Sequence, residues 1–144
     1  MMKLLRSEIM ERFDSWLISW NDHDLKGVMD FMHEEIVFEN WNGIVVSGKS
    51  NLERAWLPWF AHHGNFKFIN EDLFIDEQEQ KMTFLWQLEW PSLEKYYKGN
   101  RETRRGVDVL HFLDKKIVKK YSYSKTNIQI GTKSIMLSAA EMIF

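Results

Sequence analysis

One carboxyl stands alone in an apolar run: Asp108, within Gly106-Val107-Asp108-Val109-Leu110-His111-Phe112. An acid between branched residues loses water on folding, and desolvation raises the pKa of a carboxyl. Such a group can protonate a substrate oxygen or donate to a developing oxyanion, which makes Asp108 the first candidate for acid-base chemistry. The structural alternative is an Asp that accepts a hydrogen bond from a neighbouring Trp or Tyr. Glu39 and Glu89 are candidate partners, with an ordered water as the third option. Glu39 adjoins Asn40 in an alternating run, which turns the two to opposite faces. Glu89 precedes Trp90 and Pro91, where it stands at a cavity mouth or in solvent. His62-His63 suggests a metal, but adjacent side chains diverge and no carboxylate has ligand spacing, so a helix-end cation is the plainer reading. No metal site is expected. Alternation turns His111 away from Asp108, and His23 and His33 read as solvent-side. The chain has no cysteine, which removes disulfides, thiolate catalysis, iron-sulfur clusters and Cys-based zinc sites. Any chemistry is therefore expected to be proton transfer by oxygen and nitrogen groups, with no cofactor.

Aromatic residues make up 15% of the chain, with seven Trp and ten Phe, and an apolar cavity with a few polar groups is the usual design of a small-molecule site. Trp16, Trp20, Trp41, Trp56, Trp59 and Trp86 are expected to line such a cavity, with Asn40, Leu110 and Phe112. So many rings narrow it, which suits a small or flat, largely apolar organic ligand; the alternative is that they fill the space outright. A net charge of -2 over 144 residues argues against a nucleic-acid partner held by phosphate contacts. The run Lys115, Lys116, Lys119 and Lys120 reads as a solvated, edge-protecting cluster. Lys3, Arg6 and Glu8 interrupt the apolar N-terminus, so a chain in the cytoplasm, without signal peptide or membrane span, is expected.

The positioning elements follow from periodicity. Leu5, Ile9, Phe13, Trp16, Leu17 and Trp20 fall at helical steps, and Asp24 can cap a second helix with Leu25, Val28, Met29 and Met32 on its face. Glu35 to Trp41 and Ile44 to Val46 read as a ribbon turned at Asn42-Gly43. Ser50 and Glu53 have capping-box spacing before a third helix through Leu52, Trp56, Trp59 and Phe60, disturbed at Pro58. Strands then follow over 66–77, 81–90, 103–113 and 117–125, with one more near Ile128 or Ile135. Helices first and long strands last imply one α+β domain over 1–144, with helices on an antiparallel sheet. Both sheet faces are apolar, so a second copy of the chain is expected to cover the face the helices leave bare, giving a homodimer.

The order of elements resembles the nuclear transport factor 2-like, or SnoaL-like, superfamily from about Arg12 to Thr126. The matching strings are Trp20-Asn21-Asp22-His23-Asp24-Leu25, then Ile36-Val37-Phe38-Glu39-Asn40 running to Val46-Ser47-Gly48-Lys49, and Gly106 to Phe112 followed by Lys116-Ile117. The resemblance implies a cystatin-like cone fold, with N-terminal helices packed in the concave face of a strongly curved, mixed, mostly antiparallel sheet. It also implies one deep pocket and a dimer across the convex face. The steroid-isomerase branch places a protonated oxyanion-hole Asp at Asp108, but its general base falls on Asn40, which takes no proton, and its tyrosine falls near Trp16. The acids of the epoxide-hydrolase triad are not evident in Trp86-Gln87-Leu88-Glu89-Trp90 or Tyr121-Ser122-Tyr123-Ser124. A cyclase-type site with one pocket Asp stays open. The expectation is a small-molecule site at Asp108 with isomerase, cyclase or dehydratase chemistry. Its competitor is a non-catalytic ligand-binding or protein-interaction module.

Overall fold

A computed structural model of the chain describes residues 2–137. Helix α1 (Arg6–Asn21) buries Ile9, Phe13, Trp16 and Trp20, the stripe its periodicity requires. At its end, three side chains of the Asn21-Asp22-His23-Asp24 junction each tie one element down. The Asn21 amide pairs with Phe68 as a neighbouring strand would, donating to its carbonyl at 3.0 Å and accepting from its N–H at 2.7 Å. His23, at a left-handed φ of 59°, donates from Nε2 to the Phe66 carbonyl at 2.8 Å, so it is half-buried rather than solvent-side. Asp24 accepts from the Gly27 N–H at 3.0 Å and caps α2 (Leu25–Asp30).

One sheet holds all eight strands: β1 (Met32–Glu39), β2 (Val45–Ser47), β3 (Lys67–Asp76), β4 (Lys81–Pro91), β5 (Arg101–Leu113), β6 (Lys116–Ser124), β7 (Asn127–Ile130) and β8 (Lys133–Met136). The main order is β2-β1-β6-β5-β4-β3, and every pair is antiparallel except β1 with β6. β5 changes partner along one edge, pairing β6 over Gly106 to Leu113 and β7 at Glu102 and Thr103. Register shifts in the β1–β6, β3–β4 and β5–β6 pairs bend the strands and curl the sheet. The concave face takes α1 and α3 (Lys49–His62), and the core lies between them, from Phe13 and Trp16 to Trp56, Phe84 and Leu110. This is the α+β cone that the segregation of helices and strands implies.

Several boundaries differ from the periodicity. Met32 opens β1 instead of ending α2, because Phe31 already closes that helix. Gly48, at φ 91°, is the N-cap of α3 with no side-chain hydrogen bond, so the Ser50/Glu53 capping box does not form. Pro58 sits inside α3 without ending it, and the buried face continues from Trp56 to Trp59. The expected extra strand is a hairpin, β7 and β8, whose Ile128, Ile130 and Leu137 form a small separate core. Of the C-terminal apolar residues, Met136 is exposed and Leu137 buried, while Met142, Ile143 and Phe144 lie outside the described residues. Among the described residues no helix is long and apolar enough to cross a membrane.

Candidate functional site

Antiparallel pairing sets the site. Asp108 on β5 lies opposite Ser122 on β6, and Leu110 lies opposite Lys120. Asp108, Ser122 and Lys120 therefore all face the inside of the cone, and Asp108 and Lys120 are only 4% and 7% exposed. The Lys120 Nζ lies 3.0 Å from Asp108 Oδ2 and donates to Ser122 Oγ at 2.7 Å. Ser122 Oγ donates in turn to Asp108 Oδ1 at 2.7 Å, and Trp86 Nε1 donates to the same oxygen at 3.0 Å. Three donors thus converge on one carboxyl group. The hydrogen bond from a Trp that the sequence allows is present, together with a titratable partner that it did not show.

Lys120 corrects the reading of its cluster. Its run is not uniformly solvated: alternation in β6 turns Lys119 out and Lys120 in, beside Ser122. The ammonium lies 4.6 Å from the centre of the Phe38 ring and 5.7 Å from that of Trp56. Both are distances at which a ring face attracts a cation.

Gly106 makes the Trp86 contact possible. These two residues are register partners, and a Cβ at position 106 would lie 2.6 Å from Trp86 Cη2 and would overlap the Tyr123 carbonyl oxygen. Only a residue without a side chain lets the indole lie across β5 and reach Asp108.

Above this network is a cavity of about 30 Å³, lined by Trp20, Trp41, Trp56, Trp59 and Trp86 together with Asn40, Asp108, Lys120 and Ser122. Phe38, Phe68 and Leu88, which sequence reasoning missed, complete the wall. The space is about that of one water, so the expected narrowing is nearly complete. Trp41, in the β1–β2 connection, is a half-buried part of this wall, with its ring 5.8 Å from Trp86 and 5.9 Å from the Arg104 guanidinium. Asn40 shapes that connection by accepting from the Trp41 N–H at 2.9 Å.

A second void of about 20 Å³ shares Trp20, Phe68, Asp108 and Lys120 with the first and is further lined by Trp16, Leu17 and Phe84. The indole N–H groups of Trp16 and Trp20 are buried with no hydrogen-bond acceptor among the described residues. Leu110 and Phe112 are not part of either space. They pack with Phe13, Trp16 and Ile117 at the closed end of the cone.

Glu39 and Glu89 are not brought to Asp108. Glu39 is exposed on β1, with its side chain on the opposite face from Phe38. Glu89 is on the outer face of β4, where it accepts from Gln87 at 2.8 Å and pairs with Arg101. The second inward acid of β5 is Glu102, buried in a separate network in which Ser92 Oγ donates to it at 3.0 Å and Arg104 Nε at 2.9 Å. Of His62-His63, only His62 stands as a basic residue in the last turn of α3, and His63 is the C-cap. His63 stacks on Trp59 at 3.6 Å, and burial, helped by the charges of Arg104 and His62, lowers its pKa to about 4.

No protein of curated function matches this sequence. Among solved structures, an NTF2-like protein of unknown function from Mesorhizobium loti is 21% identical, with a TM-score of 0.67 over 87% of this chain and 97% of that one. A protein with a cystatin-like fold from Methylobium petroleophilum is 14% identical, with a TM-score of 0.67 over 85% and 79% of the two chains. A Mycobacterium tuberculosis protein solved in complex with estradiol-17beta-hemisuccinate is 16% identical, with a TM-score of 0.67 over 81% of this chain and 92% of that one. At such identities the likeness is one of fold. The sequence itself carries the SnoaL-like domain over residues 13–120, and with the cone in place around that segment, the chain belongs to the SnoaL-like family.

Proposed function

We propose that this protein binds a small, largely apolar organic molecule in its aromatic cavity and uses the Asp108–Lys120 pair as polar anchor and proton-transfer group. The observation that carries this reading is a buried ion pair lining a cavity whose remaining wall is mostly indole and phenyl rings, with Asn40, Ser122 and Leu88. A fixed carboxyl–ammonium pair away from water can take and return a proton to a bound substrate, as an isomerase, cyclase or dehydratase step requires. Glu39 and Glu89 have no part in this version, since both face away from the cavity. The estradiol ester held by the Mycobacterium tuberculosis relative supports a small-molecule ligand for this cone.

Part of the aromatic wall has to move for a ligand to enter, because the cavity holds little more than a water, and Trp41 is a half-buried ring of that wall. That closure is also what favours the second reading, a non-catalytic binding or interaction module. The test is thermal unfolding against a graded set of flat aromatics, for the wild type and Trp41→Ala. A ligand at a hundred times its dissociation constant stabilises by about 2.7 kcal/mol, which raises the melting temperature by several degrees. Larger shifts in Trp41→Ala support the cavity reading, and no shift in either protein overturns it.

The same proposal includes a homodimer across the convex sheet face. Leu85, Val107, Val109 and Tyr121 are half-buried there and Tyr123 is exposed, an apolar surface that no helix among the described residues covers.

A further inference from the structure

We infer that Lys120 is a nucleophilic amine that captures a small carbonyl compound as an imine inside the cone; this rests on the proposal that the cavity admits an organic molecule. A buried lysine in an aromatic cavity is the setting in which a side-chain amine becomes a nucleophile. Among the described residues, Nζ has two polar partners, Asp108 and Ser122, and the rings of Phe38 and Trp56 lie beside it.

Each polar group has a use in the step. The Asp108 carboxylate, 3.0 Å from Nζ, takes one ammonium proton, leaving an amine beside a carboxylic acid with no change in net charge. The nitrogen lone pair bonds to the carbonyl carbon and the C=O electrons move to oxygen. That oxygen takes a second proton from nitrogen, giving a carbinolamine. Asp108 returns its proton to the carbinolamine hydroxyl, water leaves, and nitrogen closes the C=N bond as an iminium ion. One ammonium and one carbonyl thus give one iminium and one water, with nothing oxidised or reduced. The iminium charge stays where the ammonium charge was, beside the carboxylate and the two rings.

A carbonyl oxygen also needs a donor, and two residues with unpartnered donors line a void together with the ion pair. Trp16 and Trp20 are both more than nine-tenths buried, have no acceptor for their indole N–H groups, and line the 20 Å³ void together with Asp108 and Lys120. An oxygen within reach of either N–H would satisfy a buried donor that is otherwise costly to leave unpaired.

The probe is benzaldehyde, which is flat and cannot self-condense, with cyanoborohydride at pH 7, and toluene serves as its carbonyl-free counterpart. At that pH exposed lysines are almost wholly protonated in water, whereas Lys120 has the Asp108 carboxylate 3.0 Å from Nζ to take its proton, so Lys120 is expected to be benzylated at least about tenfold faster than the exposed lysines, as peptide mapping reads it. Lys120→Arg keeps the charge but cannot form an imine, so the fast benzylation is lost while the fold, checked by thermal unfolding, is retained. Asp108→Asn slows benzylation of the intact lysine by a similar factor. Toluene stabilising the protein while benzylation is equal across all lysines overturns the amine but leaves the cavity reading intact. Neither stabilisation nor selective benzylation overturns both.

Discussion

Removing the Asp108 carboxylate strands three donors at once: the Lys120 ammonium, the Ser122 hydroxyl and the Trp86 indole. Asp108→Ala is therefore expected to destabilise the protein by about 3–5 kcal/mol in denaturant unfolding, most of it the cost of an uncompensated buried charge. Asp108→Leu with Lys120→Met removes both charges, and most of that loss is expected to be recovered. Gly106→Ala forces a methyl group against Trp86 and the Tyr123 carbonyl. A cost of about 1–3 kcal/mol is expected, with a change in Trp emission as the indole leaves Asp108. Asp108 was legible because a lone acid in an apolar strand stands out. Lys120 was not, because a run of lysines at a strand turn looks like solvated charge, and only the alternation Lys120, Ser122 against Tyr121, Tyr123 separates it from its neighbours. The inward direction of that alternation depends on the register shift between β5 and β6 at His111 and Phe112, which no local pattern announces.

At the scale of the element, α3 ends on a titration. His63 closes the helix with its ring on Trp59, and its pKa of about 4 lies below the ordinary value of 6.5. A lowered histidine pKa means that the unfolded chain binds the proton first, so stability is full above pH 6.5 and is lost as the pH falls toward about 4. His63→Phe keeps a ring on Trp59 and removes the proton, so the melting temperature of the variant is expected to fall less than that of the wild type between pH 6.5 and 4.5. An equal fall in both would assign the acid sensitivity to other groups. The helices and the four long strands were legible from period alone, and so was the cap at Asp24. The start of α3 was not. A glycine at positive φ replaced the expected serine cap, and glycine leaves no side-chain signature when it does so.

For the whole molecule, the apolar outer face of the sheet makes a prediction about assembly. Val109→Asp on β5 places a charge in the centre of that face without touching the inner network, so sedimentation is expected to show a wild-type dimer and a monomeric variant. A monomer in both at micromolar concentration overturns the proposed dimer. The overall architecture was legible because helices precede long strands and both strand faces are apolar. The closure of the cavity was not, since ring packing at the tip of the β1–β2 connection depends on contacts between residues far apart in sequence, such as Trp41 and Trp86. The one parallel pair has a consequence in time. β1 lies beside β6, so the inner edge of β1 has no partner until Lys116 to Ser124 has been made. As the chain leaves the ribosome, its N-terminal third waits for its C-terminal strands, and Lys120 arrives on the same strand that completes the sheet. Closing such a long loop late makes folding slow and post-translational. An emerging chain stopped before β6 is expected to remain open to protease, and to become resistant only once that strand is free of the ribosome.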